Sequence, residues 1–398
     1  MALNLSHRVS LIKPSPTLSL SARAKTLKAQ GKKIISLAVG EPDFDTPDFV
    51  KEAATKAIRD GFTKYTAVDG IPELKKAIVQ KFAVENELTY KESQILVSCG
   101  AKQCLYNLLQ ALLNPGDEVI IPAPYWVSYP DIALLAEAQP IIVETDIEQR
   151  FKMQAEQLEN AISKKTRLLI LNSPSNPTGM NYTETELRAL AEVLLRHPQV
   201  AIVTDDIYEH ILWAGQKFVN ILNVCPELSD RTIVVNGVSK SYSMTGWRIG
   251  YAAGPENIIA AMTNIQSQST SNPNSIAQVA AAAALNGSKD FIEMMVAAFK
   301  ERHDYLVSTL NAMPGITCLE GDGTFYAFAD VRKAMHNLQI QHDMDFVELL
   351  INKAGVVPVP GSAFGSPGYM RLSFAISMGQ LKEACTLMKS ALEAPEGS

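Results

Sequence analysis

Short apolar runs rich in valine and isoleucine alternate with segments of helical periodicity between about residues 47 and 285. Runs of this length that are separated by helical segments are typical of parallel strands buried on both faces. The repeated βα unit predicts an α/β domain with helices on both sides of one large, mostly parallel sheet. The strand candidates are residues 95–100, 118–124, 140–145, 167–173, 200–206, 232–237 and 248–254.

The pattern changes after residue 286. A long helical segment at 290–310 is followed by shorter strand candidates and a closing helix at about 380–392. These strand candidates are GITCLE, GTFYAFADV, GVVPVPG and YMRLSFAI. They predict a smaller α+β domain, which the N-terminal arm joins. We therefore expect the arm and part of the small domain at 1–46, the large domain at 47–288 and the small C-terminal domain at 289–398.

Polar and aromatic side chains follow the predicted strands where each strand ends. In open α/β sheets the carboxyl ends of the parallel strands share one edge, and ligands bind there. Two lysines, one indole, one amide and two adjacent carboxylates therefore meet at the same edge, and an arginine follows the second lysine by eight positions. The residues are Gly100, Ala101, Lys102, Trp126, Asn176, Asp205, Asp206, Lys240 and Arg248.

These residue types suit a phosphorylated aromatic aldehyde that has a ring nitrogen. A lysine amine forms a Schiff base with the aldehyde. A carboxylate keeps the ring nitrogen protonated, so that the ring accepts electrons from a carbanion. An arginine and a helix N-terminus bind the phosphate. An indole stacks on the ring, and an amide and a phenol hydrogen-bond its hydroxyl group.

The segment SKSYSMTGWRIGY (239–251) resembles the pyridoxal phosphate lysine signature of the class I aminotransferases, which have fold type I. The same family has further landmarks in the same order, and the resemblance runs from about Lys13 to the final helix. Six motifs in order are specific, although each alone is modest. The other five are LAVGEPDFDTP (37–47), YWVSYP (125–130), NSPSNPTG (172–179), DDIYEH (205–210) and YMRLSFA (369–375).

The resemblance implies how the chain binds pyridoxal 5′-phosphate. Lys240 is the Schiff-base lysine and the proton-transfer catalyst, and Asp205 pairs with the ring nitrogen, with Asp206 as the alternative. The remaining cofactor contacts are Gly100, Ala101, Trp126, Asn176, Tyr208, Ser239, Arg248 and Tyr65, the last from the other subunit of a homodimer. Many members carry a hydroxyl residue three positions before the lysine. This chain has Gly237 there, and Ser239 or water is the expected substitute.

The resemblance also implies the substrate contacts. Arg371 holds the α-carboxylate of an amino acid through two parallel hydrogen bonds, and Gly40, Trp126 and Asn176 contact the same end of the substrate. The segment STSNPNS (269–275) contains no arginine for a second carboxylate. The chain instead resembles aspartate aminotransferases that use two lysines, here Lys13 and Lys102, and that often act on prephenate.

The expected activity is therefore transfer of the amino group of aspartate to 2-oxoglutarate in a ping-pong cycle, with action on prephenate as well. Two alternatives are an aminotransferase for aromatic or broad neutral amino acids and a pyridoxal phosphate β-elimination lyase. Transcriptional regulators with such folds carry a DNA-binding segment first. Since the family pattern begins by about Lys13, no such segment is expected here.

Composition and charge limit the kinds of partner that the protein is expected to bind. The net charge of −6 gives no general attraction to nucleic acid or to acidic membranes. Seven basic residues and no acidic ones lie in 1–40, so the remaining 29 basic and 42 acidic residues leave −13 on 41–398. We interpret the basic stretch as an arm of the mature protein rather than a transit peptide, because KPSPT (13–17) interrupts any amphipathic helix.

The cysteines and the apolar runs bear on the cellular setting. The five cysteines include no CxxC pair, which argues against a disulfide framework or a zinc site and favours a reducing cytoplasm. No metal is expected. The longest apolar run, VAAAAAL (279–285), is far shorter than the roughly 20 residues that span a bilayer.

Overall fold

The computed structural model describes residues 3–14, 16–213 and 215–393. Its strands, in chain order, are β1 Ile35–Ser36, β2 Ile95–Ser98, β3 Glu118–Ala123, β4 Gln139–Glu144, β5 Thr166–Asn172, β6 Ala201–Asp205, β7 Thr232–Gly237, β8 Gly250–Ala253, β9 Thr317–Cys318, β10 Tyr326–Asp330, β11 Val356–Val357, β12 Val359–Pro360 and β13 Tyr369–Ser373. Its α-helices are α1 His7–Leu11, α2 Pro16–Ala29, α3 Asp48–Arg59, α4 Pro72–Glu85, α5 Ala101–Leu112, α6 Ser128–Leu135, α7 Ala155–Ala161, α8 Glu184–Arg196, α9 Ile221–Val224, α10 Glu256–Ser267, α11 Ser275–Asn286, α12 Asp290–Asn311, α13 Arg332–Asn337, α14 Asp343–Leu349 and α15 Met378–Glu393.

The large sheet contains all seven strands that the sequence predicts. Its order is β2-β8-β7-β6-β5-β3-β4, and the pairs from β7 to β4 are parallel. Neighbouring residues of one strand enter two different cores: in β5, Leu169 and Leu171 pack in one, whereas Leu168 and Ile170 pack in the other. Burial on both faces explains why these strands read as continuous apolar runs.

β8 is the exception to the parallel arrangement. It pairs antiparallel with both β7 and β2. The connection from β7 to β8 contains only turns and a short 3₁₀ segment, Thr245–Trp247, and a parallel neighbour would require a crossover of a dozen or more residues, usually with a helix. The start of β8 therefore lies at the same edge as the end of β7. This arrangement brings Arg248 close to Lys240.

A second group of elements forms the smaller part of the fold. The sheet β12-β13-β10-β9 is antiparallel, and β1 from the N-terminal arm pairs in parallel with β11. The 22-residue helix α12 and the closing helix α15 pack with this sheet in a shared core. The arm thus pairs with a C-terminal strand, while the division of the chain into domains remains a prediction.

No helix among the described residues is both long and apolar enough to cross a membrane. The alanine-rich run 279–285 lies within α11, a 12-residue helix packed in the large core.

Candidate active site

A cavity of about 350 Å³ opens where the carboxyl edge of the large sheet faces the smaller sheet. Parallel strands end together at this edge, which is why residues far apart in sequence meet here. Eleven of the predicted site residues line it: Gly40, Ala101, Lys102, Trp126, Asn176, Asp205, Tyr208, Ser239, Lys240, Arg248 and Arg371. Three predicted residues, Gly100, Lys13 and Tyr65, are not among its lining residues.

Lys240 lies in the turn that follows β7, and its amine points into the cavity. Its Nζ donates a hydrogen bond of 2.7 Å to the carbonyl oxygen of Gly40. Withdrawal from water lowers the pKa of Lys240 to about 8, with further lowering from the charges of Arg248 and Arg371. With this pKa about a tenth of the amine is neutral at pH 7, so Lys240 is a better nucleophile there than a surface lysine, which is almost fully protonated.

Asp205 ends β6 and is buried with one oxygen uncommitted. Its Oδ2 accepts a hydrogen bond of 2.7 Å from the hydroxyl of Tyr129, whereas Oδ1 has no partner among the described residues. Burial raises the pKa of Asp205 to about 6, although the Tyr129 hydrogen bond lowers it. An unpaired buried carboxylate oxygen is costly, so its position fits a ligand that carries a protonated nitrogen.

Asp206 faces away from the cavity. Its Oδ2 accepts a hydrogen bond of 2.7 Å from Asn220, and the side chain is not among those that line the cavity. Burial, followed by the charge of Glu209, raises its pKa well above the usual range. The geometry therefore favours Asp205 over Asp206 as the carboxylate that meets a ligand.

Arg248 and the start of α5 form a cationic corner. The guanidinium donates to the carbonyl oxygens of Thr245 (3.0 Å) and Cys99 (3.1 Å) and makes no ion pair with a carboxylate in the described part of the chain. Gly100 has a φ of +91°, and a Cβ there would lie 2.4 Å from Nη2 of Arg248. Together with the free N–H groups of a helix start, this corner can bind a phosphate.

Gly237, three positions before Lys240, lies close to the start of β8 and has little room for a side chain. A Cβ at Gly237 would lie 3.0 Å from the carbonyl oxygen of Ile249 and 3.1 Å from Cα of Gly250, so a larger residue would press on β8. Ser239, by contrast, lines the cavity. It remains the candidate for the missing contact.

Arg371 enters the cavity from β13 of the smaller sheet and is 2% exposed. It donates to the carbonyl oxygen of Ala38 (2.7 Å) and to Oδ1 of Asn176 (3.0 Å), and its Nε has no partner among the described residues. Its guanidinium lies 4.4 Å from the ring centroid of Tyr326. A buried guanidinium with no carboxylate partner in the described residues is suited to bind an anionic ligand.

The other predicted contacts form the walls of the cavity. The hydroxyls of Tyr208 and Tyr326 are 2.9 Å apart, and burial raises the pKa of Tyr208 well above its usual range. Trp126 packs edge-on against Tyr129, and Nζ of Lys102 lies 4.8 Å from the centroid of the indole. These residues offer hydroxyl, stacking and cationic contacts around one volume.

Lys13 and Tyr65 lie outside the cavity of this single chain. Lys13 is exposed, and both its backbone N–H and its charge lower the pKa of Asp131, which burial raises overall. Tyr65 is 91% exposed. The roles of Tyr65 toward another subunit and of Lys13 toward the substrate therefore stay predictions.

The cavity also contains residues that the sequence reading missed. Tyr129 follows Trp126 by three positions, so helical spacing could have indicated it. Asn172 donates from Nδ2 to the carbonyl oxygen of Asp205 (2.8 Å) and had a signal as the first residue of NSPSNPTG. Thr17 and Leu18 of α2 and Tyr326 of β10 also line the cavity, and no local pattern marked them.

Known proteins share this architecture. Residues 32–387 match the family described as aminotransferase class I and II. The chain is 57% identical to the aspartate/prephenate aminotransferase of Nitrosomonas europaea, over 98% of this chain and 100% of that one. It is 49% identical to the aspartate aminotransferase of Rhizobium meliloti, over 97% and 95% of the two chains.

Two solved structures extend the similarity to three dimensions. The crystal structure of the aspartate aminotransferase from Rhizobium meliloti has a TM-score of 0.95 at 48% identity, with 98% of this chain and 99% of that chain covered. The aspartate aminotransferase from Thermus thermophilus with maleate has a TM-score of 0.93 at 41% identity, with 98% and 100% covered. The fold is thus shared with solved aspartate aminotransferases.

Proposed function

The chain belongs to the class I and II aminotransferases, and from that premise we propose that it transfers the amino group of L-aspartate to 2-oxoglutarate and also acts on prephenate. The observation that carries this proposal is the cavity in which Lys240, Asp205, Arg248 and Arg371 meet. The relatives named as aspartate/prephenate and aspartate aminotransferases support the substrate assignment.

Pyridoxal 5′-phosphate fits the residues present. When bound, it supplies an aromatic ring that withdraws electrons from the carbon next to the amino group. The uncommitted Oδ1 of Asp205 would hold a proton at the ring nitrogen. Arg248 and the N-terminus of α5, which begins at Ala101, would bind the phosphate. Trp126 would stack on the ring, and Asn176 with Tyr208 would contact its hydroxyl.

Lys240 would carry out two tasks. Its Nζ would anchor the cofactor covalently, and the same amine, once released, would move the proton of the substrate α-carbon. The depressed pKa of about 8 suits both tasks, because the free amine must be neutral to accept a proton. Its present partner is the carbonyl oxygen of Gly40, which also lies where the substrate would bind.

Arg371 and Lys102 would select the substrate. Arg371 would bind the α-carboxylate, since it is buried and makes no ion pair within the described residues. Lys102 lines the same cavity from α5 and would meet a second carboxylate. The Thermus thermophilus relative was solved with maleate, which is a dicarboxylate.

A homodimer is part of the proposal. Tyr65 is a large aromatic residue that is 91% exposed in the single chain, and we expect it to reach the cofactor phosphate of the partner subunit. Co-expression of Lys240→Ala and Tyr65→Ala chains tests this idea, because a mixed dimer restores one complete site. Absence of any activity gain over the separate variants, at limiting cofactor, would argue against shared sites.

Steady-state kinetics test the function itself. Aspartate, glutamate, tyrosine and prephenate are compared as substrates with the matching 2-oxo acids, and parallel double-reciprocal lines are expected for the ping-pong cycle. Tyrosine outcompeting aspartate would favour an aromatic or broad-specificity aminotransferase instead. Release of pyruvate and ammonia from a cysteine-type donor without any 2-oxo acid would favour a lyase. A cytoplasmic location stays a prediction.

A further inference from the structure

The turn that carries Lys240 lies outside regular secondary structure. Within residues 238–244 the backbone makes turn hydrogen bonds, such as Met244 N–H to the carbonyl oxygen of Ser239 at 3.1 Å, and the carbonyl oxygen of Ser243 accepts one of 2.8 Å from the hydroxyl of Thr46. Ser243 adopts a left-handed φ of +50°. The shape of such a segment depends on side-chain contacts more than a helix or strand does. Contacts that hold the residues next to Lys240 therefore affect where its amine points.

Two buried neighbours of Lys240 are held from behind the cavity. The hydroxyl of Ser241 is 3.0 Å from Nδ1 of His210, and the hydroxyl of Tyr242 accepts a hydrogen bond of 2.8 Å from Nζ of Lys289. Ser241 and Tyr242 are each 1% exposed. Neither His210 nor Lys289 lines the cavity.

His210 and Lys289 both contact the same carboxylate, that of Glu85 at the end of α4. Its Oε2 is 2.8 Å from Nε2 of His210, and its Oε1 is 2.6 Å from Nζ of Lys289. Each oxygen of Glu85 thus contacts a residue that in turn contacts Ser241 or Tyr242, the two residues that follow Lys240. The Glu85 side chain is 22% exposed, so water competes only in part for these contacts.

The surrounding charges keep Glu85 ionised. Burial opposes its ionisation, but the hydrogen bond and charge of His210 and the hydrogen bond from Lys289 outweigh it, so the pKa falls to about 2. Lys81 lies 3.8 Å from Oε2 and forms a close ion pair with Glu209, whose Oε1 is 3.6 Å from Nδ1 of His210. The ligand atoms of Glu85, Glu209 and His210 lie within 4.8 Å of one another. The two lysines already neutralise this cluster, so we assign no metal to it.

We propose that Glu85 is a positioning residue for Lys240, acting through His210 on Ser241 and through Lys289 on Tyr242. This inference rests on the proposed function, in which Lys240 anchors the cofactor. A lysine held in one place presents its amine to the cofactor at a high effective concentration. Release of its neighbours would weaken the covalent attachment without removing any group that touches the cofactor.

The test uses the purified holoenzyme without any amino acid substrate. In Glu85→Gln, the rate of cofactor release into excess inorganic phosphate is expected to rise about tenfold, as loss of a charge-assisted hydrogen bond would predict. The pH midpoint of the visible cofactor absorbance is expected to shift as well. Ser241→Ala should shift this pH midpoint in the same direction as Glu85→Gln does, although the substitution of Ser241 removes no charge. The matched control is Glu186→Gln, which removes a carboxylate paired with buried Lys152 at 2.5 Å elsewhere in the large domain.

A double-mutant cycle decides how Glu85 acts. If Glu85 acts through Ser241, the double variant Glu85→Gln/Ser241→Ala should release cofactor no faster than Glu85→Gln alone. Additive effects of the two substitutions would overturn the route through His210 and Ser241. Should Glu85→Gln fail to fold, Ser241→Ala and Tyr242→Phe carry the test. Release rates and midpoints equal to those of wild type in both would overturn the proposal. Failure of aspartate turnover alone leaves these readouts intact, whereas absence of a borohydride-fixed adduct on wild-type Lys240 would overturn the proposed function too.

Discussion

Replacement of Lys102 by methionine is expected to lower the preference for dicarboxylic over neutral amino acids. Lys102 lines the same cavity as Arg371, its Nζ lies over the Trp126 ring at 4.8 Å, and it forms no ion pair with the residues that the structure describes. Its charge is therefore available to a second carboxylate. Methionine keeps most of the length of the side chain and removes only the charge and the donor.

The size of the effect follows from the lost interaction. A hydrogen bond to a charged group contributes about 1.5–3 kcal/mol, which corresponds to about a ten- to hundredfold loss in kcat/KM for aspartate. Tyrosine has no second carboxylate and should keep its efficiency. Lys13 is exposed and does not line the cavity, so Lys13→Met should cost at most about 1 kcal/mol, or about fivefold.

The assay is the ratio of kcat/KM for aspartate to that for tyrosine. It is measured in wild type, in both variants and in the control Lys91→Met, whose side chain is 80% exposed. Burial, and then the charge of Arg248, lowers the pKa of Lys102, so the wild-type ratio should fall as pH rises through that lowered pKa. A ratio that is unchanged in Lys102→Met would refute the role of this lysine. A larger loss in Lys13→Met than in Lys102→Met would refute the geometric reasoning.

Three further predictions concern the remaining cavity residues. The rate of covalent attachment of pyridoxal phosphate to cofactor-free protein should rise about tenfold per pH unit below pH 8 and then level off, because only neutral Lys240 reacts and its pKa is about 8. Stopped-flow absorbance measures this rate, and a rate that still rises steeply above pH 9 would contradict the prediction. Asp205→Ala should keep the borohydride-reducible adduct but lower the transamination rate about a thousandfold or more, whereas Tyr129→Phe, which removes only the hydrogen bond to Asp205, should lower that rate about tenfold. Equal turnover in wild type and Asp205→Ala would show that another acid contacts the ring nitrogen. Arg371→Lys should lower kcat/KM about equally for aspartate, tyrosine and prephenate, because lysine cannot donate two parallel hydrogen bonds. A loss confined to dicarboxylic substrates would instead place Arg371 at the second carboxylate of the substrate.

Most of the fold could be predicted from the sequence because both faces of the large sheet are buried. The apolar run TIVVNG matches β7 in full, and the other strand candidates of the large sheet differ from the structure by a few terminal residues. The single candidate GVVPVPG, by contrast, forms two strands, β11 and β12, in different sheets. The matched family and the solved aspartate aminotransferases confirm the predicted family, its aminotransferase chemistry and the fold. The roles of individual site residues remain proposals, although the structure brings most of them around one cavity.

The sequence by itself determined which residues lie at the edge of the sheet, because strand ends are local features and parallel strands end together. It could not decide between Asp205 and Asp206, since alternation sends neighbouring side chains to opposite faces without saying which face meets the cavity. Only the tertiary structure brought Tyr129 to Asp205 and Tyr326 to Tyr208. Such contacts join segments separated by tens to more than a hundred residues, and no short-range pattern encodes a distance between them.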